Sequence, residues 1–255
     1  MKRLLIVIAA FLLLASPFQA YASLAFVTGA HGKGLQGAAT PSLNFTGVDL
    51  IVVGQVSYSG NVTTSISDSL GNTYTALTQQ ALGNSTIERT QLFYKQNPTV
   101  SSTMTFTPGN VNADVYVEGF SGSASSPFDV QNGFLNTVGG TSVNPGSITP
   151  SGAGYLVTAL GGMYSGTNGA LPVNGDGNYT TTDSSTMVGS VSFGGAFSYF
   201  IQGSAVATNP TFSWTGTAND ETAVIASFKP AATANKPPKL AINAATFINA
   251  VVKIN

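Results

Sequence analysis

The chain has 255 residues, of which only 7% are charged, where an ordinary soluble domain carries roughly a quarter. Nine basic residues against ten acidic ones cannot neutralise a run of phosphates, which argues against nucleic-acid binding. A hydrophobic content of 43% with 10% aromatics is enough to build a core, which excludes charge-driven disorder, and the length suits one large domain.

Residues 1–22 read as a signal peptide: a basic start (Lys2, Arg3), an apolar run from Leu4 to Ala15, and an A-x-A site at Ala20-Tyr21-Ala22. The run is too short for a membrane-spanning helix, which needs about 20 residues. The mature chain is therefore expected to begin at Ser23, to be secreted to the extracellular space or cell surface, and to carry no transmembrane segment. There is no cysteine, so neither a lipid anchor at the cut site nor a disulfide framework is available. These features suit a bacterial exported protein, and the four N-x-T sequons at Asn44, Asn61, Asn84 and Asn178 are read as chance in a chain rich in Asn and Thr.

From Ser23 to Phe228, short segments of period-two alternation are separated by Gly, Pro, Asn and Ser clusters, the signature of antiparallel strands. Leu50 to Tyr58 starts as a continuous apolar run, as a central strand would. A turn is expected within Ile66 to Tyr74, where Asp68 and Gly71-Asn72 supply side-chain hydrogen bonding and positive φ. Further strands are expected at Thr86 to Lys95, Ser102 to Thr107, Ala113 to Phe120, Gly154 to Leu160, Met187 to Phe193, Ala196 to Val206, Thr211 to Thr215 and Glu221 to Phe228. In Ser102 to Thr107 the pair Met104 and Phe106 should pack while Thr103, Thr105 and Thr107 face outward. Trp214 alternates with Phe212 and is expected to pack inward. No segment of this region has a helical period, so the fold class is all-β, an antiparallel two-sheet β-sandwich of jelly-roll type.

Residues 229–239 form a Pro/Lys linker, and residues 240–255 an apolar segment whose period suits a helix or a strand. The domain from Ser23 to Phe228 has 3 basic residues against all 10 acids, a net charge of −7, while the tail carries Lys229, Lys236, Lys239 and Lys253. Such a tail could dock on its own domain, touch a membrane or wall, or add a strand to a neighbouring copy, which would make the protein a fibre or coat subunit that self-associates through residues 240–255.

The succession Leu50-Ile51-Val52-Val53, Ser67-Asp68-Ser69-Leu70-Gly71-Asn72-Thr73-Tyr74, Leu92-Phe93-Tyr94-Lys95, Val117-Glu118-Gly119-Phe120-Ser121-Gly122 and Pro127-Phe128-Asp129 resembles a group of uncharacterised bacterial and phage-associated extracellular domains. The resemblance spans most of Ser23 to Phe228 and implies a lectin-like jelly-roll sandwich. It brings no catalytic motif.

Several chemistries lack their residues. The only histidine, His31, sits among Gly29, Gly32 and Gly34 and reads as a surface loop residue, and no G-x-S-x-G elbow surrounds a serine. Zinc lacks ligands, and Gly32-Lys33-Gly34 lacks the spacing of a phosphate loop. The candidate ligand-binding residues are carboxylates and tyrosines on strands. Asp114, Tyr116 and Glu118 alternate with Val115 and Val117, and Glu88 shares a stripe with Tyr94, so each set should line one face. Such stripes could grip a glycan or cell-surface polymer, could be the acid pair of a carbohydrate-active hydrolase, or could form a solvated outer face. Asn174, Asp176 and Asn178 have the opening spacing of a Ca2+ loop, but Ser185 stands where a bidentate Glu is needed, so a plain turn competes with that reading. No other cofactor is expected.

Overall fold

A computed structural model of the chain describes residues 23–35, 39–58, 64–81, 88–109, 112–165, 173–174, 176–187 and 192–232. The expected signal peptide and the apolar segment 240–255 lie outside these residues. Every regular element among the described residues is a β-strand. In chain order they are β1 (Ala25–Leu35), β2 (Leu50–Tyr58), β3 (Ile66–Asp68), β4 (Thr75–Ala76), β5 (Gln80–Ala81), β6 (Glu88–Gln96), β7 (Phe106–Pro108) and β8 (Asn112–Ser121). There follow β9 (Ser123–Asn136), β10 (Ser142–Val143), β11 (Leu156–Ser165), β12 (Val173–Asn174), β13 (Thr180–Met187), β14 (Ser192–Ile201), β15 (Phe212–Ser213) and β16 (Asp220–Pro230).

Two large antiparallel sheets face each other. The first runs β1-β8-β2-β6-β4, with β5 also on β6, and the second runs β13-β14-β11-β16-β9. Leu50, Val52, Leu92, Tyr116 and Phe120 of the first meet Leu156, Leu160, Phe197, Val224 and Phe228 of the second in a central core. Each sheet is also covered on its outer side. Ile51, Val53, Val115 and Val117 pack under Phe45, Val48, Met104 and Phe106, beside the small β3-β7 sheet. Val157, Ala159, Ala223 and Ile225 pack under Val143, Ile148, Phe212 and Trp214, which belong to the β10-β15-β12 layer and its flanking loops.

That double coverage explains the central strands. Leu50-Ile51-Val52-Val53 is apolar at every position because side chains on both faces enter a core, so alternation is suppressed where burial is two-sided. β2 has the expected bounds, and β6, β8 and β16 lie within two residues of theirs. β16 reaches Pro230, and the Ala231 N–H donates to the Gly122 carbonyl at 2.8 Å. Met104 and Phe106 are fully buried with Thr103 exposed, as their alternation requires, and Trp214 is buried with its indole N–H on the Gly140 carbonyl at 3.2 Å.

Besides short strands of two or three residues, three long ones escape sequence reading. β1 carries three glycines and the histidine taken for a loop residue, so His31 is corrected to a strand position. Gly29 and Gly32 are there because backbone comes close: a Cβ on Gly32 would meet the Thr40 backbone, and one on Gly29 the Val117 carbonyl. β9 contains Pro127, which its edge position tolerates, and its register with β16 shifts on either side of Phe228. β13 is almost wholly polar and is likewise an edge strand, so no apolar stripe announces it.

Candidate functional site

Backbone register brings both predicted stripes onto one face of the first sheet. Val52 of β2 lies between Tyr94 of β6 and Glu118 of β8, Val56 lies between Thr90 and Asp114, and Tyr58 pairs with Glu88. That face is the inner one. Tyr116 belongs to the central core, while Val115 and Val117 point the other way into the covered outer core. Glu88, Asp114, Tyr116 and Glu118 are all 0% exposed, which corrects the solvated-face reading and leaves no open groove along the stripe. Alternation showed which residues share a face; it could not show that the acidic face is the interior, because the valine face is buried as well. Tyr94 is half-buried, stacked with Phe128 at 6.2 Å and edge-on to Phe228 at 5.4 Å.

The interior is polarised along its length. Toward Phe120 it is aromatic, with Phe26 stacked on Tyr199 at 5.0 Å and Phe120 edge-on to the same ring at 5.4 Å. Toward Glu88 it is polar. Glu88 abuts Gly162, where a Cβ would collide with its carboxyl, and Tyr58 stacks on Tyr164 at 4.6 Å. Burial holds the Glu88 carboxyl well above the usual carboxylate range; the nearby Asp220 and Glu221 add to the shift, and Thr222 partly offsets it. Tyr58 is pushed up to about 12 by desolvation first, then by its hydrogen bond and charge interaction with Tyr164 and by Asp220.

A second polar cluster sits where the β1 and β13 edges approach. His31 Nδ1 contacts the Asp183 carboxylate, its ring lies 6.0 Å from that of Tyr116, and the Thr182 hydroxyl donates to Glu118 Oε1. The Tyr116 hydroxyl donates to the Gly195 carbonyl at 2.9 Å, tying the two sheets together. Burial pushes Glu118 up to about 8, against the opposing pull of the Thr182 hydrogen bond. At neutral pH a carboxyl so raised as that of Glu118 holds its proton, a form that suits a packed interior.

Of the proposed Ca2+ positions, Asp176 and Asn178 are described with their side chains. Asp176 Oδ1 accepts the Asn178 backbone N–H at 3.0 Å and its side-chain amide at 3.1 Å, and the Tyr179 N–H donates to the Asp176 carbonyl at 3.0 Å. Asn174 is on β12, its side chain outside the described residues, and Ser185, the twelfth position, is on β13 opposite Gly195. The bonds of Asp176 make it and Asn178 part of a turn that leads into β13. Among the described residues no group of three or more His, Cys, Asp or Glu is placed to hold a metal ion.

What sequence reading missed is the structural use of the other acids. Asp49 accepts the Gly122 and Ser123 N–H groups at 2.8 and 3.0 Å, and Asp129 accepts Ser151 N–H at 2.9 Å and the Ser151 and Ser227 hydroxyls at 2.7 and 3.0 Å. Partial burial works against Asp129 ionising, yet those Ser151 and Ser227 bonds and Lys229 hold its carboxyl below the usual range. The pairing of Asp with a distant Gly-Ser or Ser has no local sequence signal.

The chain is thus an antiparallel β-sandwich with an internal polar cluster. No protein-family model, curated protein or solved structure matches it.

Proposed function

We propose that this is a secreted, non-catalytic β-sandwich of jelly-roll type that acts in extracellular or cell-surface recognition, with glycans as its ligand class. The observation that carries this reading is where the ten acids stand. Glu88, Asp114, Glu118 and Glu221 are 0% exposed, and Asp49, Asp68, Asp129 and Asp176 are bound into turns and loop contacts. Asp183 holds His31, and Asp220 flanks Glu88 and Tyr58. Acids committed in this way are the framework of the fold, and a hydrolase would need an acid pair that a polysaccharide can reach. Among the described residues the exposed large apolar side chains are Val27, Leu70, Phe134, Val138 and Val206, contacts suited to an uncharged polymer.

The test is retention of the purified mature protein on bacterial cells and insoluble cell-wall polysaccharides, with reducing-sugar release measured in the same samples. Retention without release is the expected result. Release of sugar would replace this reading by that of a hydrolase, and no retention on any surface polymer would remove recognition.

A further inference from the structure

The outer side of β9 carries Asn132, Phe134 and Asn136 at period two. Their partners on β16 are Ile225, Ala223 and Glu221, and Ile225 and Ala223 lie in the outer core of the second sheet, so the stripe faces the side covered by the β10-β15-β12 layer. Coverage stops short of the sheet edge. Phe134 remains 51% exposed, the one aromatic ring among the exposed large hydrophobics of the described residues. Beside it lies a groove of about 300 Å3 lined by Phe134, Ser142, Val143, Asn144 and Gly146.

The groove is built by specific contacts. Asn144 Nδ2 donates to the Pro210 carbonyl at 3.0 Å and to Thr211 Oγ1 at 2.7 Å, fixing the amide. Asn132 Nδ2 donates to the Ser147 carbonyl at 3.1 Å, which ties β9 to the far wall. Gly146 has φ +88°, and a Cβ there would strike the Asn132 amide, so the wall approaches β9 as closely as glycine permits. No lining residue carries a charge. An aromatic ring bordered by a fixed amide, Asn144, and a hydroxyl, Ser142, matches a pyranose ring, which has one apolar C–H face and a rim of hydroxyl donors and acceptors. The volume is at the small end of ligand sites, the size for a single sugar unit. An anionic or cationic sugar would find no counter-charge in this lining.

We infer that this groove is a subsite for a neutral sugar ring, stacked on Phe134 and hydrogen-bonded by the Ser142 hydroxyl and the Asn144 amide oxygen. The inference rests on the recognition reading above and gives it a contact point distinct from the buried Asp114-Tyr116-Glu118 stripe. The test uses an array of neutral hexose and N-acetylhexosamine oligosaccharides printed beside sialylated and uronate ones. The wild-type protein should bind neutral members, Phe134→Ala should lose at least tenfold in affinity with its melting temperature unchanged, and Val138→Ala, which alters a side chain outside the groove, should bind as wild type. A titration of the wild-type protein with the best neutral oligosaccharide should shift the Phe134 ring resonances. Undiminished binding by Phe134→Ala, a stationary Phe134 resonance, or binding confined to anionic glycans would overturn the subsite while leaving recognition standing. A wild-type protein that binds neither glycans nor cells would overturn both.

Discussion

Asp68 shows how a single acid fixes a turn in a chain without disulfides. Its Oδ1 accepts the Leu70 and Asn72 N–H groups at 2.8 and 3.2 Å, and its Oδ2 accepts the Asn72 amide at 2.9 Å and the Tyr74 hydroxyl at 2.6 Å. Asn72 then clamps Thr99 through both ends of its amide, at 2.8 and 2.9 Å, joining this turn to the segment that precedes β7. The turn was legible in Ser67-Asp68-Ser69-Leu70-Gly71-Asn72, since Asp and positive-φ Gly71 are what such a bend requires; the clamp on Thr99, 27 positions away, was not. Asp68→Ala removes four acceptor contacts and should lower stability by about 2 kcal/mol, because each exposed or half-buried bond contributes roughly 0.5 to 1 net. Urea unfolding reads this as a lower midpoint at unchanged slope; an unchanged midpoint would show that water replaces the carboxylate without loss.

Glycines decide how closely the layers stack, and they divide by what stands over them. Gly161 on β11 lies directly beneath the ring of Phe212 on β15, which is fully buried, so an added Cβ must push that ring and the β10-β15-β12 layer outward. Gly177 has open space where its Cβ would be. Gly161→Ala should therefore cost about 1 to 3 kcal/mol, the usual penalty for overpacking, and Gly177→Ala should stay within about 0.5 of wild type. Thermal melts of the two variants side by side check the contrast, and equal melting temperatures would mean that the outer layer yields freely. The same close approaches explain which elements sequence reading could find. Strands with an apolar stripe, such as β2 and β8, stood out, whereas β1 and β13 owe their place to partners at the sheet edges, through Gly29 against Thr182 and His31 against Asp183. Tertiary contact, which no local period encodes, makes them strands.

For the molecule as a whole, the sparse charge governs stability more than surface potential. A two-sheet architecture was legible from the number and spacing of alternating segments; the outer layers were not, and without them the acidic face of β8 could not be told from a solvated one. Burying that face sets an unusual dependence on pH. Below about pH 4.3, the unfolded-state value for glutamate, both states hold the Glu118 proton. Above it the unfolded chain ionises while the folded one keeps the proton until about pH 8, so the folded state binds more protons and stability falls as pH rises through this interval. Glu88, also raised by burial, acts in the same direction. Asp129 acts in the opposite sense: its lowered value gives stability that is present above the unfolded-state value and is lost as pH falls through the folded one. Maximum stability is thus expected in the mildly acidic range, near pH 4 to 5 by these reference values, with a decline toward pH 8. Glu118→Gln keeps the Oε1 acceptor for Thr182 and replaces the buried, unpartnered Oε2 by an uncharged amide. It should flatten much of that decline, and at pH 8 raise stability relative to wild type by an amount on the order of a few kcal/mol. Urea midpoints measured from pH 4 to 9 for both proteins give the answer directly. Should wild-type stability climb between pH 5 and 8, Glu118 ionises inside the fold, and its surroundings solvate a carboxylate.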